Sequence, residues 1–93
     1  EQGLVFSSIA AKLLELGYYI ILTEAGTQLN SSMIQQNTAD ELYWFIAPSI
    51  LNDLNAVPML GLDTKITLDK KVQLSLIETK LIDQDVLLHY RFN

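Results

Sequence analysis

Glu24 is the side chain of this sequence whose neighbours best suit it to chemistry. It follows an apolar run and precedes Ala25-Gly26-Thr27, after which a helix-like segment begins. A carboxylate where a strand ends, in the crevice where ligands of α/β sheets bind, can accept hydrogen bonds from ligand hydroxyl or amino groups. In a functional role, Glu24 would therefore hold a sugar or ring edge and not a phosphate. In the structural alternative, Glu24 accepts hydrogen bonds from the backbone N–H groups of the next helix.

Ala25-Gly26-Thr27 could bring backbone N–H groups towards a pyrophosphate at the start of that helix. Gly26 would allow either a close approach or a positive φ angle. Taken alone, a single glycine before a helix is most often a plain turn. The tripeptide is therefore a candidate phosphate-binding turn that needs further support.

Two other groups of polar residues favour structural roles. Asp40 and Glu41 are adjacent carboxylates entering a predicted strand, where neighbouring side chains point to opposite faces, so a turn or cap role is favoured over paired acid/base work. His89, the only histidine, falls on the less apolar face of the last predicted strand and is interpreted as structural or exposed. No Ser, Cys or second His motif accompanies it, so we predict neither a catalytic side chain nor a metal site.

Composition bounds the class of protein. Its 93 residues suit one small domain or part of a larger one, and 49% hydrophobic with 18% charged residues predicts a globular chain with a core. The net charge of −5 argues against a nucleic-acid partner, because such proteins concentrate Lys and Arg on one surface. The absence of cysteine fits a cytoplasmic protein. Its apolar runs are shorter than the ~20 residues of a membrane span.

The first half of the chain predicts alternating helices and strands. A helix is expected from Ser8 to Leu16, ended by Gly17, and a weaker one from Thr27 to Gln36, ended by Asn37. The runs Tyr18 to Thr23 and Leu42 to Ala47 lack polar alternation, which is typical of strands covered on both faces. Strand, helix and strand in this order predict a parallel right-handed crossover.

The second half predicts a loop and a hairpin. Residues 48–70 show little periodicity and are either a binding loop or a surface connection, with Lys65, Lys70 and Lys71 in solvent. Apolar residues alternate along 72–81 with one change of phase, which indicates a β-bulge. A short link joins this strand to a second alternating strand, 86–92, as an antiparallel hairpin. The aromatic residues 43–45 are interpreted as core and interface packing.

The order of these motifs resembles a known family. Leu22-Thr23-Glu24-Ala25-Gly26-Thr27, then Ala39-Asp40-Glu41-Leu42, then Tyr43-Trp44-Phe45-Ile46-Ala47-Pro48 are similar to the V-E-G-G-[AS], V-D-E-L and aromatic-strand-A-P motifs of the reductase domain of the bifunctional riboflavin-biosynthesis deaminase/reductase. Asp85-Val86-Leu87-Leu88-His89-Tyr90 resembles its D-[VL]-L-L-x-Y core. The sequence departs from the family at Ala25, where a glycine is usual, and at Ser49 to Asp53, where a glycine-rich stretch is usual.

The resemblance implies more than the residues alone do. It implies the C-terminal half of a dihydrofolate-reductase-like three-layer α/β sandwich, with parallel strands, crossover helices and a C-terminal antiparallel hairpin. It implies that residues 1–93 are part of one reductase domain that uses NADPH to reduce the ribose of a pyrimidine phosphoribosylamine to a ribityl group. Glu24 would then bind the small-molecule substrate, and Ala25, Gly26 and Thr27 would bind the cofactor.

A second reading stays open at this point. The chain by itself would be a non-catalytic fragment that completes a sheet or self-associates, because the family's earlier strands have no counterpart here. A first residue of Glu1 instead of Met leads us to expect that the native N-terminus is absent. Strands that are apolar on both faces favour a homodimer or higher oligomer, with residues 43–45 or the hairpin at the contact.

Overall fold

The computed structural model describes residues 5–61 and 71–93, which form two compact units. The helical unit contains the described residues 5–38 and 57–61, and the sheet unit contains 39–56 and 71–93. The elements of the helical unit are α1, Phe6–Glu15, and α2, Thr27–Gln35. Those of the sheet unit are β1, Glu41–Ile46, β2, Leu74–Ile82, and β3, Asp85–Phe92.

Both helices end within one residue of the predicted position, and α1 begins at Phe6, two residues before the predicted start. Gly17 lies just beyond α1 with φ 96°, and its N–H donates to the Leu14 carbonyl while Tyr18 N–H donates to Leu13, both at 2.9 Å. This pair of bonds satisfies carbonyls that the helix end would otherwise leave without partners. Asn37, with φ 57°, ends α2 through the same arrangement. An amide side chain tolerates this left-handed conformation better than most residues do.

The sheet is built around its last strand. β3 lies between β1 and β2 and pairs antiparallel with both. The predicted hairpin is therefore confirmed, with a two-residue turn at which Asp83 takes φ 57°. The predicted bulge is also confirmed, because the β2–β3 register shifts between Leu76 and Glu78. One extra residue there lets Leu81 share a face with Leu76 although an odd number of positions separates them.

The register sorts the sheet side chains onto two faces, since neighbours along a strand alternate and paired residues share a face. One face, the polar face, carries Glu41, Tyr43, Phe45, Ser75, Glu78, Lys80, Ile82, Asp85, Leu87, His89 and Arg91. The other, the apolar face, carries Leu42, Trp44, Ile46, Leu74, Leu76, Thr79, Leu81, Val86, Leu88, Tyr90 and Phe92.

The predicted strand from Tyr18 to Thr23 is wrong for the described chain. Residues 18–26 have no regular secondary structure, and the side chains of Tyr19 and Ile20 are 82% and 95% exposed. A strand needs a neighbouring strand for its N–H and C=O groups, and residues 18–26 pair with none of β1, β2 and β3. The predicted parallel crossover is also wrong for the described chain, because its first strand does not form and every strand pair in the described sheet is antiparallel.

The predicted buried core is also absent from the described residues. No hydrophobic side chain among them is buried, and Trp44 is 42% exposed. The strand predicted for 42–47 does form, as β1 at 41–46, but the aromatic trio 43–45 lies exposed instead of in a core. A single layer of three strands covers neither of its faces, so alternation alone cannot bury them. Residues 62–70, which include Lys65 and Lys70 of the predicted loop, lie outside the described residues.

Candidate functional site

The turn before α2 leaves the start of that helix open. Gly26 is the N-cap residue, no side chain caps the helix, and the first turn holds no acidic residue. The first N–H groups of a helix have no intrahelical partner and carry the positive end of the helix dipole. An anion can therefore be held at this end of α2 without displacing a capping side chain.

Gly26 has space beside it. Its φ of −88° is one that any residue adopts, so the positive φ considered from the sequence is not used. A Cβ built on Gly26 would meet no atom within 4 Å among the described residues. Of the two roles considered for glycine at this position, close approach of a ligand is therefore the one compatible with this geometry.

Glu24 is exposed in the described structure. The alternative in which it caps α2 is not observed, since no side chain makes a cap hydrogen bond there. Its carboxylate is accessible to a ligand from solvent. The role of Glu24 in substrate binding remains a prediction.

The segment 57–61, here called the strap, is hydrogen-bonded to α2 at several points. The Thr27 hydroxyl donates to the Pro58 carbonyl, and Asn30 Nδ2 lies 3.3 Å from the Met59 carbonyl oxygen. Gly61 N–H donates to Ser31 Oγ at 2.8 Å. The side chains of 27, 30 and 31 share one helix face because they are three and four residues apart. Ser31, 5% exposed, is the buried residue of the described chain.

The strap contacts are what sequence reasoning missed in this unit. In the sequence this helix is indicated by two apolar residues four positions apart, Leu29 and Met33. The polar spacing of Thr27, Asn30 and Ser31 is a usable signal, since it places three hydrogen-bonding side chains on one helix face, where a neighbouring segment can bond them. A cavity of about 260 Å³ also opens beside α2, lined by Gln28, Ser32, Gln35 and Gly61. None of the predicted site residues lines it.

A second cluster lies on the polar face of the sheet. His89 Nε2 is 2.5 Å from Glu41 Oε1, and the His89 ring stacks on Tyr43 with centroids 4.0 Å apart and planes 14° apart. The Glu41 side chain is 44% exposed and that of His89 is 14% exposed. The sequence placed Glu41 in a turn or cap role, but the residue begins β1 and bonds His89 instead. Because 48 residues separate the two, spacing gave no signal for this pair.

No group of three or more His, Cys, Asp or Glu residues within 5–61 and 71–93 is arranged to hold a metal ion. None of the described helices combines the length and the apolar character needed to cross a bilayer.

Comparison with known proteins identifies the family. The model of the RibD C-terminal domain matches residues 6–88, and the chain belongs to that family. It is 32% identical over 79 residues to the riboflavin biosynthesis protein RibD of Actinobacillus pleuropneumoniae, and the match covers 85% of this chain and 21% of that protein.

Solved structures agree with this assignment. Two structures of Acinetobacter baumannii RibD, described as form 1 and form 2, each match with a TM-score of 0.66 and 27% identity. Each match covers 75% of this chain and 19% of the RibD chain. The chain therefore spans about a fifth of the length of these relatives.

Proposed function

We propose that this chain is part of a RibD reductase domain with a dihydrofolate-reductase-like fold. The intact protein would use NADPH to reduce the ribose of 5-amino-6-(5-phosphoribosylamino)uracil to its ribityl form. The observation that carries the proposal is the family match over residues 6–88, which includes Glu24 and the open start of α2. The match spans nearly the whole chain, so the proposal does not depend on one short motif.

The residues at the start of α2 suit a dinucleotide phosphate. The helix presents N–H groups without a capping side chain or acidic first-turn residue, and Gly26 has open space beside it. Ala25, Gly26 and Thr27 would hold the pyrophosphate through backbone N–H groups, because the Thr27 hydroxyl already donates to Pro58. Bound NADPH would supply the hydride.

Glu24 would act on the substrate and not on the cofactor. Its exposed carboxylate accepts hydrogen bonds from ribose hydroxyls and repels phosphate, which favours one orientation of a substrate that carries both. This is a binding and orienting role, and orientation is a large part of what a reductase contributes to hydride transfer. No proton transfer is assigned to Glu24.

Two substitutions in the intact protein separate these roles. Glu24→Gln should lower kcat/KM for the pyrimidine substrate by about 1.5 to 3 kcal/mol, roughly 10- to 150-fold, because the amide lacks the charge that strengthens bonds to hydroxyls. Gly26→Ala should raise KM for NADPH, although its new Cβ meets nothing within 4 Å in the described structure. Steady-state kinetics with each ligand varied in turn measures both. Glu24→Gln with unchanged kinetics would remove the substrate role.

The alternative, a non-catalytic module, has its own support in the bare apolar face and the lack of buried hydrophobic side chains among the described residues. We propose that the 93-residue chain alone is inactive and self-associates, as a homodimer or larger assembly, through exposed apolar surface. The purified chain should then show no NADPH-dependent reduction of the substrate. Turnover of about 1 per second or faster would overturn this part of the proposal.

A further inference from the structure

One side chain of α2, that of Asn30, contacts both the strap and the turn before α2. Asn30 Nδ2 lies 3.3 Å from the Met59 carbonyl oxygen in the strap and 3.4 Å from the Ala25 carbonyl oxygen in the turn. An Asn amide nitrogen carries two hydrogens, so it can donate to both oxygens at once. Thr27 and Ser31 also hold the strap, but their side-chain hydrogen bonds go to Pro58 and Gly61 and do not reach the turn.

The bond to Ala25 fixes a direction in the turn. The Ala25 carbonyl and the Gly26 N–H belong to the same planar trans peptide unit and point in opposite directions. When Asn30 holds the carbonyl oxygen, the Gly26 N–H is turned away from Asn30. It then points away from the helix side chains that hold the strap.

We infer that Asn30 is a positioning residue, which fixes the Gly26 N–H for cofactor binding by tying the Ala25-Gly26 peptide to the strap. The inference rests on the proposed function and adds to it a residue that does not itself touch the cofactor. Without the amide, the Ala25-Gly26 peptide is free to rotate, and binding must then include the entropy cost of ordering it.

The test uses the intact protein that carries this chain, with three substitutions on α2. Asn30→Leu keeps the size of the side chain and removes both donors. Ser31→Ala removes a strap bond and leaves the Ala25 contact in place. Gln28→Leu removes an exposed amide of the first turn for which the described structure shows no hydrogen bond.

NADPH affinity is measured by fluorescence titration, and kcat is measured at saturating cofactor. Asn30→Leu should raise the Kd for NADPH about fivefold, the loss of two weak hydrogen bonds, with kcat within twofold. Ser31→Ala and Gln28→Leu should each change that Kd by less than about twofold. Asn30→Leu with an unchanged Kd, or Ser31→Ala with an equal rise, would overturn the inference, because the effect would then be absent or due to the strap in general.

A second readout needs no cofactor. Selective ¹⁵N labelling of glycine, with the Gly26 signal assigned by its loss in Gly26→Ala, reports the mobility of that amide. Its order parameter should be about 0.85 in the parent protein and fall below about 0.6 in Asn30→Leu. An order parameter unchanged by Asn30→Leu would refute the positioning role. A parent protein that does not bind NADPH would refute the proposed function instead, and the relaxation data would still show whether Asn30 orders the turn.

Discussion

Two apolar runs of this chain have nearly the same character and different structures. Residues 18–23 read YYIILT and residues 41–46 read ELYWFI, and both are rich in aromatic and aliphatic side chains. The second run is strand β1, whereas the first has no regular secondary structure among the described residues. Strand propensity alone does not separate them.

The two runs differ in whether a neighbouring strand pairs with them. Each residue of β1 faces one of β3 from Glu41 opposite Arg91 to Ile46 opposite Val86, so backbone groups and side chains are paired together. Tyr43 stacks on His89, which adds a cross-strand contact to the ladder. The run 18–23 has no such neighbour in the described chain. It therefore forms no strand there, despite its high strand propensity.

The largest predicted effect comes from supplying that partner. If the intact protein brings further strands beside residues 18–23, as the proposed fold requires, amides 19–22 should exchange hydrogen at least roughly a thousandfold more slowly there than in the 93-residue chain. Amides 42–45 should change much less, because β3 already pairs with them. Hydrogen exchange with mass spectrometry of both proteins makes the comparison. Equal exchange of residues 18–23 in both would mean that this run is not a strand of the parent domain.

Local features of this fold were predictable from sequence. Gly17 and Asn37 end the helices, the hairpin forms, and the bulge lies where the apolar alternation changes phase. Each of these depends on residues within a few positions of one another. Turn, cap and alternation rules act at that range.

Features set by distant residues were not predictable. The sequence could not show that β1 pairs with β3 while residues 18–23 pair with no strand of the described chain, since pairing depends on which other strands the fold brings alongside. The Glu41–His89 bond and the strap contacts are likewise long-range, with separations of 48 and about 30 residues. The candidate site at Glu24 and Gly26 was found because it is local, and its roles remain predictions.

A smaller effect is expected for association through a face of the sheet than for pairing along a strand edge. Trp44 and Phe45 are neighbours on β1, but Trp44 lies on the apolar face and Phe45 on the polar face. If the chain self-associates through the apolar face, Trp44→Glu should weaken association about tenfold or more by placing a charge in the contact. Phe45→Glu is the matched control and should have little effect. Light scattering over a dilution series measures the association of the unsubstituted chain and of both variants. A stable monomer of the unsubstituted chain at tens of micromolar, or equal effects of both substitutions, would exclude the apolar face as the contact.

The smallest effect concerns the polar contact that accompanies the β1–β3 pairing. His89 faces Tyr43 on β1 and Glu78 on β2 in the register, yet its Nε2 bonds Glu41. An ionised carboxylate only accepts, so Nε2 must carry the hydrogen. Glu41→Gln keeps an accepting oxygen and removes the charge, and because the pair is partly exposed the loss should be under about 1 kcal/mol. Glu78→Gln removes a charge opposite the same ring without removing the bond, and it should cost less.

Hydrogen exchange of the β1 amides in the two variants gives the difference in local opening free energy. If Glu78→Gln opens β1 as readily as Glu41→Gln, then the negative charge around His89, and not the Glu41–His89 bond, stabilises the pairing of β1 with β3.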